Sequence, residues 1–358
     1  MERTPNHLSD GTNDDLIPLK IMPQKSAIVA IGASSGGVDA LRAVAAALPA
    51  DLNAAVLVVL HIGAHRSDLP WLLARCGALP AAHGVDGEMV VPGRIYVAPP
   101  DHHMVVENDR VVLTKGPREN WARPAIDPLF RSVARCYGSR AIGVIMSGGF
   151  NDGTAGLYTI KQFGGISIVQ DPFDCVTPNM PQSAIANVQI DHVVPAADIS
   201  LLIARVVADI IQDADAVTTS EPVPDKQQEQ GMTAEFTLDA PVAVTCPDCG
   251  GALRRSEMGT LIQFSCHIGH VYTAEVMLAA QFLVLERFIE QAMRSLSERA
   301  ELCRQMLARL DGDASAEARK QVWRDALQEA IDQTAPLRTV LTRQWLHPGM
   351  SIAVDQRG

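Results

Sequence analysis

Ser34 lies in the run Gly32-Ala33-Ser34-Ser35-Gly36, between an apolar strand pattern and an amphipathic helix pattern. A G-x-S-x-G run in that setting is the form of a nucleophile elbow, where flanking glycines let the chain turn sharply and a substrate come close. The same turn aims free helix N–H groups outward, which suit a phosphate as well as the oxyanion of acyl transfer. A dinucleotide fingerprint asks for G-x-G-x-x-G and an acidic residue closing the next strand. Here Ser34 stands where the second glycine belongs and the next strand ends in His61, which favours a nucleophile. Serine attacks only when a base takes its proton and a carboxylate orients that base. His61 follows the second strand, and Asp152 follows the strand AIGVIMSGG in the loop SGGFNDGTAG. Asp101 and Asp171 also follow strands, and His102, His103 and His192 compete with His61, so the residues alone leave the choice open.

A second cluster has ligand chemistry. Cys246, Cys249, Cys266 and His270 form C-x2-C-x16-C-x3-H. Thiolates three apart on a turn chelate tetrahedral zinc, with Pro247 and Gly250 shaping the knuckle. His270, four residues after Cys266, reaches the same ion more easily than the adjacent His267. A zinc deaminase is excluded, because no His-x-Glu occurs in the chain. Cys76, Cys136, Cys175 and Cys303 read as packing residues.

The elements that must position Ser34, His61 and Asp152 alternate between short apolar runs and helical segments from residue 27 to about 209. Strands are expected at AIVAIG, AAVLVVLHI, RIYVAPP, AIGVIMSG, ISIVQD and DHVVP. Helices are expected at GVDALRAVAAAL, SDLPWLLARC, DPLFRSVARCY and TAGLYTIKQFG, and HMVVEN with RVVLTKG predicts a hairpin near a sheet edge. Uniformly apolar strands are buried on both faces, so the class is α/β with a doubly wound, mostly parallel sheet. In such a sheet the strand carboxyl ends share one edge, where open α/β folds bind ligands. Ser34, His61 and Asp152 all fall on that edge.

The chain divides into a polar tail (1–25), this domain (26–211), and a polar linker rich in Asp, Glu, Gln, Ser and Pro (212–240). A zinc-ribbon-like module (241–272), a helical hairpin (273–346) and a second tail (347–358) follow. The hairpin pattern rests on Leu278, Phe282, Leu285, Ile289, Met293 and Leu296, at three-to-four spacing. The formal net charge is −11, which argues against a general binder of nucleic acid or anionic membranes. The metal-ligating stretch carries only Arg254 and Arg255 with little aromatic interleaving, so a structural clip is expected rather than a nucleic-acid reader. No apolar run approaches the ~20 residues that span a bilayer, and the first residues lack a secretory pattern. Seven cysteines, an odd number, do not read as a disulfide framework, and a reducing cytoplasm is the expected setting.

The motifs IGASSGGVDAL, VLHIGAH, PGRIYVAPPDHHM, GPRENWARPAIDPLFRSVA, GVIMSGGFNDGTAGL, GGISIVQDP and MPQSAI, in this order, resemble the catalytic domain of chemotaxis protein-glutamate methylesterases of the CheB type. The resemblance covers roughly residues 27–206. It implies a catalytic triad of Ser34, His61 and Asp152, with the backbone N–H groups of Ser35 and Gly149 as oxyanion hole and no catalytic cofactor. The implied reaction is acyl transfer on glutamate methyl esters of methyl-accepting chemoreceptor helices, with glutamine deamidation as a related activity. Two departures stand out. The family usually has a methionine-glycine pair where this chain has Gly149 and Phe150. Its familiar architecture also begins with a phosphoacceptor receiver domain, whereas only a short tail precedes the serine strand here, so control by an aspartate of the same chain is not expected.

Two alternatives remain beside the esterase: a signalling scaffold in which Phe150 misplaces Asp152, and a nucleotide-binding protein that uses the glycine turn. Because the expected triad lies wholly before the linker, the C-terminal part is expected to fold separately and to serve targeting.

Overall fold

The computed structural model describes residues 26–62, 66–217, 244–312, 314–343 and 345. Seven parallel strands form the central sheet: β1 (Ala27–Ala33), β2 (Ala54–Leu60), β3 (Ala81–His83), β4 (Ile95–Val97), β7 (Ala141–Ile145), β8 (Ile166–Gln170) and β9 (His192–Val194). Their spatial order is β3-β4-β2-β1-β7-β8-β9. The chain builds one side of the sheet from β1, through β2, edge strand β3 and then β4 between them, and the other side outward from β7, so the topological switch lies between β1 and β7. Both are Val-, Ile- and Ala-rich and buried along their whole length. Along β1, Ala27, Val29 and Ile31 enter one core while Ile28 and Ala30 enter the other, as the two-residue period of a doubly covered strand requires.

The first core is covered by α1 (Gly37–Ala47), α2 (Leu69–Cys76) and α6 (Ala196–Val217). The second is covered by α3 (Ile126–Tyr137), α4 (Thr154–Gln162) and α5 (Asn179–Asn187). The expected hairpin forms as β5 (His103–Glu107) and β6 (Arg110–Thr114), but as a sheet of its own. It packs Met104, Val106 and Val111 into the second core beside α3 instead of extending the edge of the large sheet. Edge strand β3 has only three residues, too few to show a period. Helix α6 packs Ile210 and Ile211 on the core and runs on to Val217, past the expected domain end at 211. The two expected tails and the linker beyond Val217 lie outside the described residues.

A small antiparallel sheet follows, with β10 (Leu253–Met258), β11 (Leu261–Cys266) and β12 (Val271–Thr273) in that order. Helices α7 (Ala274–Arg309) and α8 (Glu317–Thr342) then form the expected hairpin. The C-terminal part, expected to fold separately, touches the α/β domain. The Asn120 N–H donates to the Val271 carbonyl at 2.8 Å, Thr260 Oγ1 donates to Asn187 Oδ1 at 2.7 Å, and Phe150 and Trp121 pack on the small module's core.

Candidate active site

At the end of β1 the chain leaves the sheet through Ser34, whose N–H donates to the Ser147 carbonyl after β7 at 2.9 Å. That bond crosses the topological switch and ties the serine turn to the loop that carries Asp152. Gly36, at φ 76°, makes the left-handed turn into α1 that a side chain would resist. Gly148 is needed for space: a Cβ there would lie 2.1 Å from Met180 Sδ and 2.8 Å from Ser34 Cβ.

Ser34, Ser35, His61, Asn120, Gly149, Phe150, Asp152, Thr177 and Asn179 line one cavity of about 360 Å³. A neighbouring cavity of about 380 Å³ shares His61, Asn120 and Phe150 and continues past Arg118, Trp121 and Arg123. The structure thus brings all five sequence-predicted residues to one place. His61 Nε2 donates to Asp152 Oδ2 at 2.8 Å, which leaves Nδ1 as the ring's basic atom. No hydrogen bond joins Ser34 Oγ to His61 among the described residues. Such contacts are commonly long before substrate closes them. The Ser35 and Gly149 N–H groups meet no protein acceptor among the described residues, so both stay available to a ligand in the cavity.

Asp152 is almost fully buried, and its carboxylate is built into the N-terminus of α3. The Ile126 N–H donates to Oδ2 at 2.7 Å and the Asp127 N–H to Oδ1 at 3.3 Å. Asn120 Nδ2 donates to Oδ1 at 3.1 Å. Burial on its own would raise the Asp152 pKa. The His61 bond and charge, the helix N–H and the Asn120 amide outweigh it and hold the carboxyl at about 2. The residue is therefore an anion at any working pH.

Its neighbour Asp127 has the opposite fate. Fully buried, it accepts from Gly156 N–H at 2.7 Å and from Asn120 Nδ2 at 3.0 Å. Burial first, and the Asp152 charge second, push its carboxyl well above the ordinary range. Two carboxylates on one amide thus divide into an anion and a group that favours the neutral acid.

The competing candidates are occupied elsewhere. Asp101 binds Arg123 at 2.6 Å, and that guanidinium lowers its pKa. Asp171 accepts from Phe173 N–H at the start of a short 3-10 turn. His103 donates from Nε2 to Pro117 O at 2.9 Å and accepts from Ala125 N–H, and burial lowers its pKa, so it is a neutral structural ring. His102 contacts the Pro100 carbonyl, and His192 lies on edge strand β9. Phe150 does not displace Asp152. It takes φ 58°, within a loop that keeps the His61–Asp152 bond, and turns its ring onto the C-terminal module. Left-handed Asn120 (φ 48°) and Trp121 (φ 66°) flank the same interface, each at a cost of about 1–3 kcal/mol that the surrounding contacts must offset.

The CheB methylesterase family model matches residues 29–203. A putative protein-glutamate methylesterase/protein-glutamine glutaminase of Leptospira interrogans serogroup Icterohaemorrhagiae is 36% identical over 180 residues, which cover 49% of this chain and 93% of that protein. The chain belongs to the CheB methylesterase family. A protein-glutamate methylesterase/protein-glutamine glutaminase of Yersinia pestis bv. Antiqua is 40% identical over 179 residues, 48% of this chain and 51% of that one. The crystal structure of the Thermotoga maritima CheB methylesterase catalytic domain is 34% identical, with a TM-score of 0.49, and covers 51% of this chain and 99% of that one.

Beyond the CheB-type domain, Cys246, Cys249, Cys266 and His270 converge, with their ligand atoms all within 4.8 Å of one another. Cys249 Sγ and Cys266 Sγ are 3.7 Å apart, and His270 Nδ1 lies 3.7 Å from Cys246 Sγ and 3.5 Å from Cys266 Sγ. A tetrahedron of ~2.3 Å metal–sulfur bonds has edges of about 3.7 Å, so this donor set fits zinc. Asp248 Oδ2 stands 3.8 Å from the far His270 nitrogen, on the side where a carboxylate orients a ligating imidazole. His267 is exposed and outside the cluster.

Four polar residues of the site were not singled out in the sequence: Asn120, Asp127, Asn151 and Thr273. Asn120 and Asp127 stand inside GPRENWARPAIDPLF, a motif that signals likeness but has no spacing that betrays a role. Asn151 adjoins Asp152, and Thr273 falls at a helix start where a cap residue is unremarkable.

Proposed function

We propose that this protein is a protein-glutamate methylesterase working through a serine acyl-enzyme. The observation that carries the reading is the His61–Asp152 bond in one cavity with Ser34. Ser34 Oγ attacks the side-chain carbonyl carbon of a glutamate methyl ester while His61 Nδ1 takes the hydroxyl proton. The carbonyl oxygen gains negative charge and is received by the Ser35 and Gly149 N–H groups. Collapse of the tetrahedral adduct breaks the bond to the methoxy oxygen, and His61 returns the proton to release methanol. Water, deprotonated by the same nitrogen, attacks the glutamyl-serine ester, and the glutamate carboxylate leaves with Ser34 regenerated. A glutamine side chain follows the same route with ammonia as leaving group. Asp152 stays ionised throughout and stabilises the imidazolium.

The substrates we assign are glutamates on the cytoplasmic helices of methyl-accepting chemoreceptors: the relatives' names support protein glutamate, and the family resemblance supports the receptor helices. A cavity of about 360 Å³ suits one side chain presented by a helix. No cofactor takes part in these steps. Zinc bound by Cys246, Cys249, Cys266 and His270 would hold the C-terminal module together, outside the chemistry. The setting is the cytoplasm, which suits seven cysteines without a disulfide, and no helix among the described residues is long and apolar enough to cross a membrane. The test is methanol release from methylated receptor fragments, run beside labelling by a serine-directed phosphonate. Release together with a phosphonate adduct on Ser34 is the expected result. No release, with Ser34 unlabelled, would return the chain to a scaffold role.

A further inference from the structure

The reaction draws every group from the α/β domain, yet Asn120, which holds Asp152, and Asn151, its neighbour in the chain, are themselves held by the C-terminal module. We propose that Thr273, where β12 meets α7, is a positioning residue of the esterase, fixing Asn120 and Asn151 on either side of Asp152. The inference rests on the esterase reading above.

Asn120 is 8% exposed and its amide is used at both ends. Its nitrogen donates to Asp152 Oδ1 at 3.1 Å and to Asp127 Oδ2 at 3.0 Å. Its oxygen accepts from the Thr273 N–H at 3.1 Å. That third bond decides which way the amide faces, because a flipped amide would set oxygen against two carboxyl groups and nitrogen against an N–H. Asn151, 3% exposed and adjacent to Asp152 in the chain, is gripped from the same point. Thr273 Oγ1 donates to its Oδ1 at 2.7 Å, and its Nδ2 donates to Glu275 Oε2 at 2.8 Å.

Thr273 itself is fully buried. As the N-cap of α7 its hydroxyl would ordinarily close on the first free N–H groups of its own helix, yet it makes no such bond. The hydroxyl serves the catalytic loop instead. Phe150 completes the arrangement. It lies between the Gly149 N–H and Asn151, and its ring packs with the cluster of Cys246, Leu253, Cys266 and Tyr272. The stretch 149–152 thus carries an oxyanion donor, an apolar anchor in the module, a hydrogen-bonded anchor to the module, and the acid. Whatever holds the module in shape holds these four together. The Cys246, Cys249, Cys266 and His270 site lies within the same cluster.

The experiment uses the full chain as purified. Thr273→Val keeps the volume and deletes the hydroxyl, and Thr273→Ser restores it. On a small activated ester the valine variant should lose about tenfold to 100-fold in kcat at unchanged KM, the scale expected when a catalytic group is misplaced without being removed. The serine variant should recover wild-type kcat. Metal content should stay the same in all three proteins. Amide hydrogen exchange should quicken in Thr273→Val at residues 118–124 and 148–153, while β1 and α3 keep their protection. A wild-type kcat in Thr273→Val, or unchanged exchange in those two segments, overturns the proposal, as does loss of protection throughout the molecule. If the wild-type protein neither turns over the ester nor labels at Ser34, the esterase reading fails. The exchange result then still decides the coupling of module and loop.

Discussion

The two reactive clusters of this molecule are assembled in opposite ways. Cys246, Cys249, Cys266 and His270 come together within one 25-residue stretch, through two tight turns and a short sheet. Ser34, His61 and Asp152 are drawn from three separate loops and meet only because β1, β2 and β7 are parallel neighbours. A ligand set is thus a property of local spacing, whereas a catalytic triad is a property of topology. The clusters also differ in what surrounds them. The Cys/His cluster is largely self-contained, while Asp152 depends on α3, on Asn120 and, through Asn120, on Thr273 of the other cluster's module.

The sharpest way to break this comparison is to attack each cluster in turn and see whether damage crosses over. Ser34→Ala should abolish ester hydrolysis, and His61→Ala nearly so. Asp152→Asn should lower kcat by about 10⁴, since the amide would hold the wrong tautomer of the base. None of the three should change metal content. Steady-state kinetics with metal analysis on the same samples checks both halves. Wild-type turnover by Ser34→Ala would remove the nucleophile assignment outright.

The reverse crossing should be smaller but real. Cys246→Ala removes one of four ligands and should release zinc, because structural zinc and the fold of a small module are thermodynamically one event. If the module held Asp152's neighbours only by accident, activity on a small ester would survive. The contacts through Thr273 and Phe150 lead us to expect a loss of about 100-fold, with Ser34 still labelled slowly by a phosphonate. Metal content and the labelling rate are the two readouts. Full activity in a zinc-free protein would restore the picture of two independent parts.

The difference in assembly also explains what could be read from the sequence. The parallel sheet was legible because its strands are apolar throughout, and Ser34 and His61 stood out as candidates because each follows such a strand directly, the choice among competing histidines coming from the resemblance. The cluster of Cys246, Cys249, Cys266 and His270 was legible because its members lie at ligand spacing within one short stretch. Asn120 and Thr273 were not. They lie 153 positions apart, and nothing in either one's neighbourhood anticipates their bond. The polar stretch after Val217 suggested separation, since a linker's composition says how far it reaches and nothing about what its ends touch. Phe150 was visible as a departure, but a single sequence cannot tell a disabling change from one that seats a ring in another module.

The smallest effect concerns the division of labour between Asp127 and Asp152. Arg131 and Glu119 are the other charged groups acting on Asp127, and burial and the Asp152 charge dominate them in raising its pKa. An unfolded aspartate titrates near 3.9. A carboxyl raised above that value binds its proton more tightly in the folded state, so its contribution to stability is complete below about pH 4 and is lost as pH rises toward the folded value. Asp127→Asn removes this titration. The variant pays a constant penalty, because its new amide nitrogen would face the Asn120 nitrogen that now donates to Asp127 Oδ2. That penalty is the same at every pH, so the slope carries the result. Measured by urea midpoint from pH 4 to 8, stability of Asp127→Asn relative to wild type should climb with pH. The climb is about 1.4 kcal/mol for each unit of the interval in which the folded wild type still holds the proton. Asp152→Asn should show the opposite sign at lower pH. Its carboxylate, held at about 2, stabilises the fold above about pH 4, and that contribution fades as pH falls toward 2. Parallel pH profiles for Asp127→Asn and wild type would mean that both carboxyls ionise together, and the two acids would then lose their separate roles.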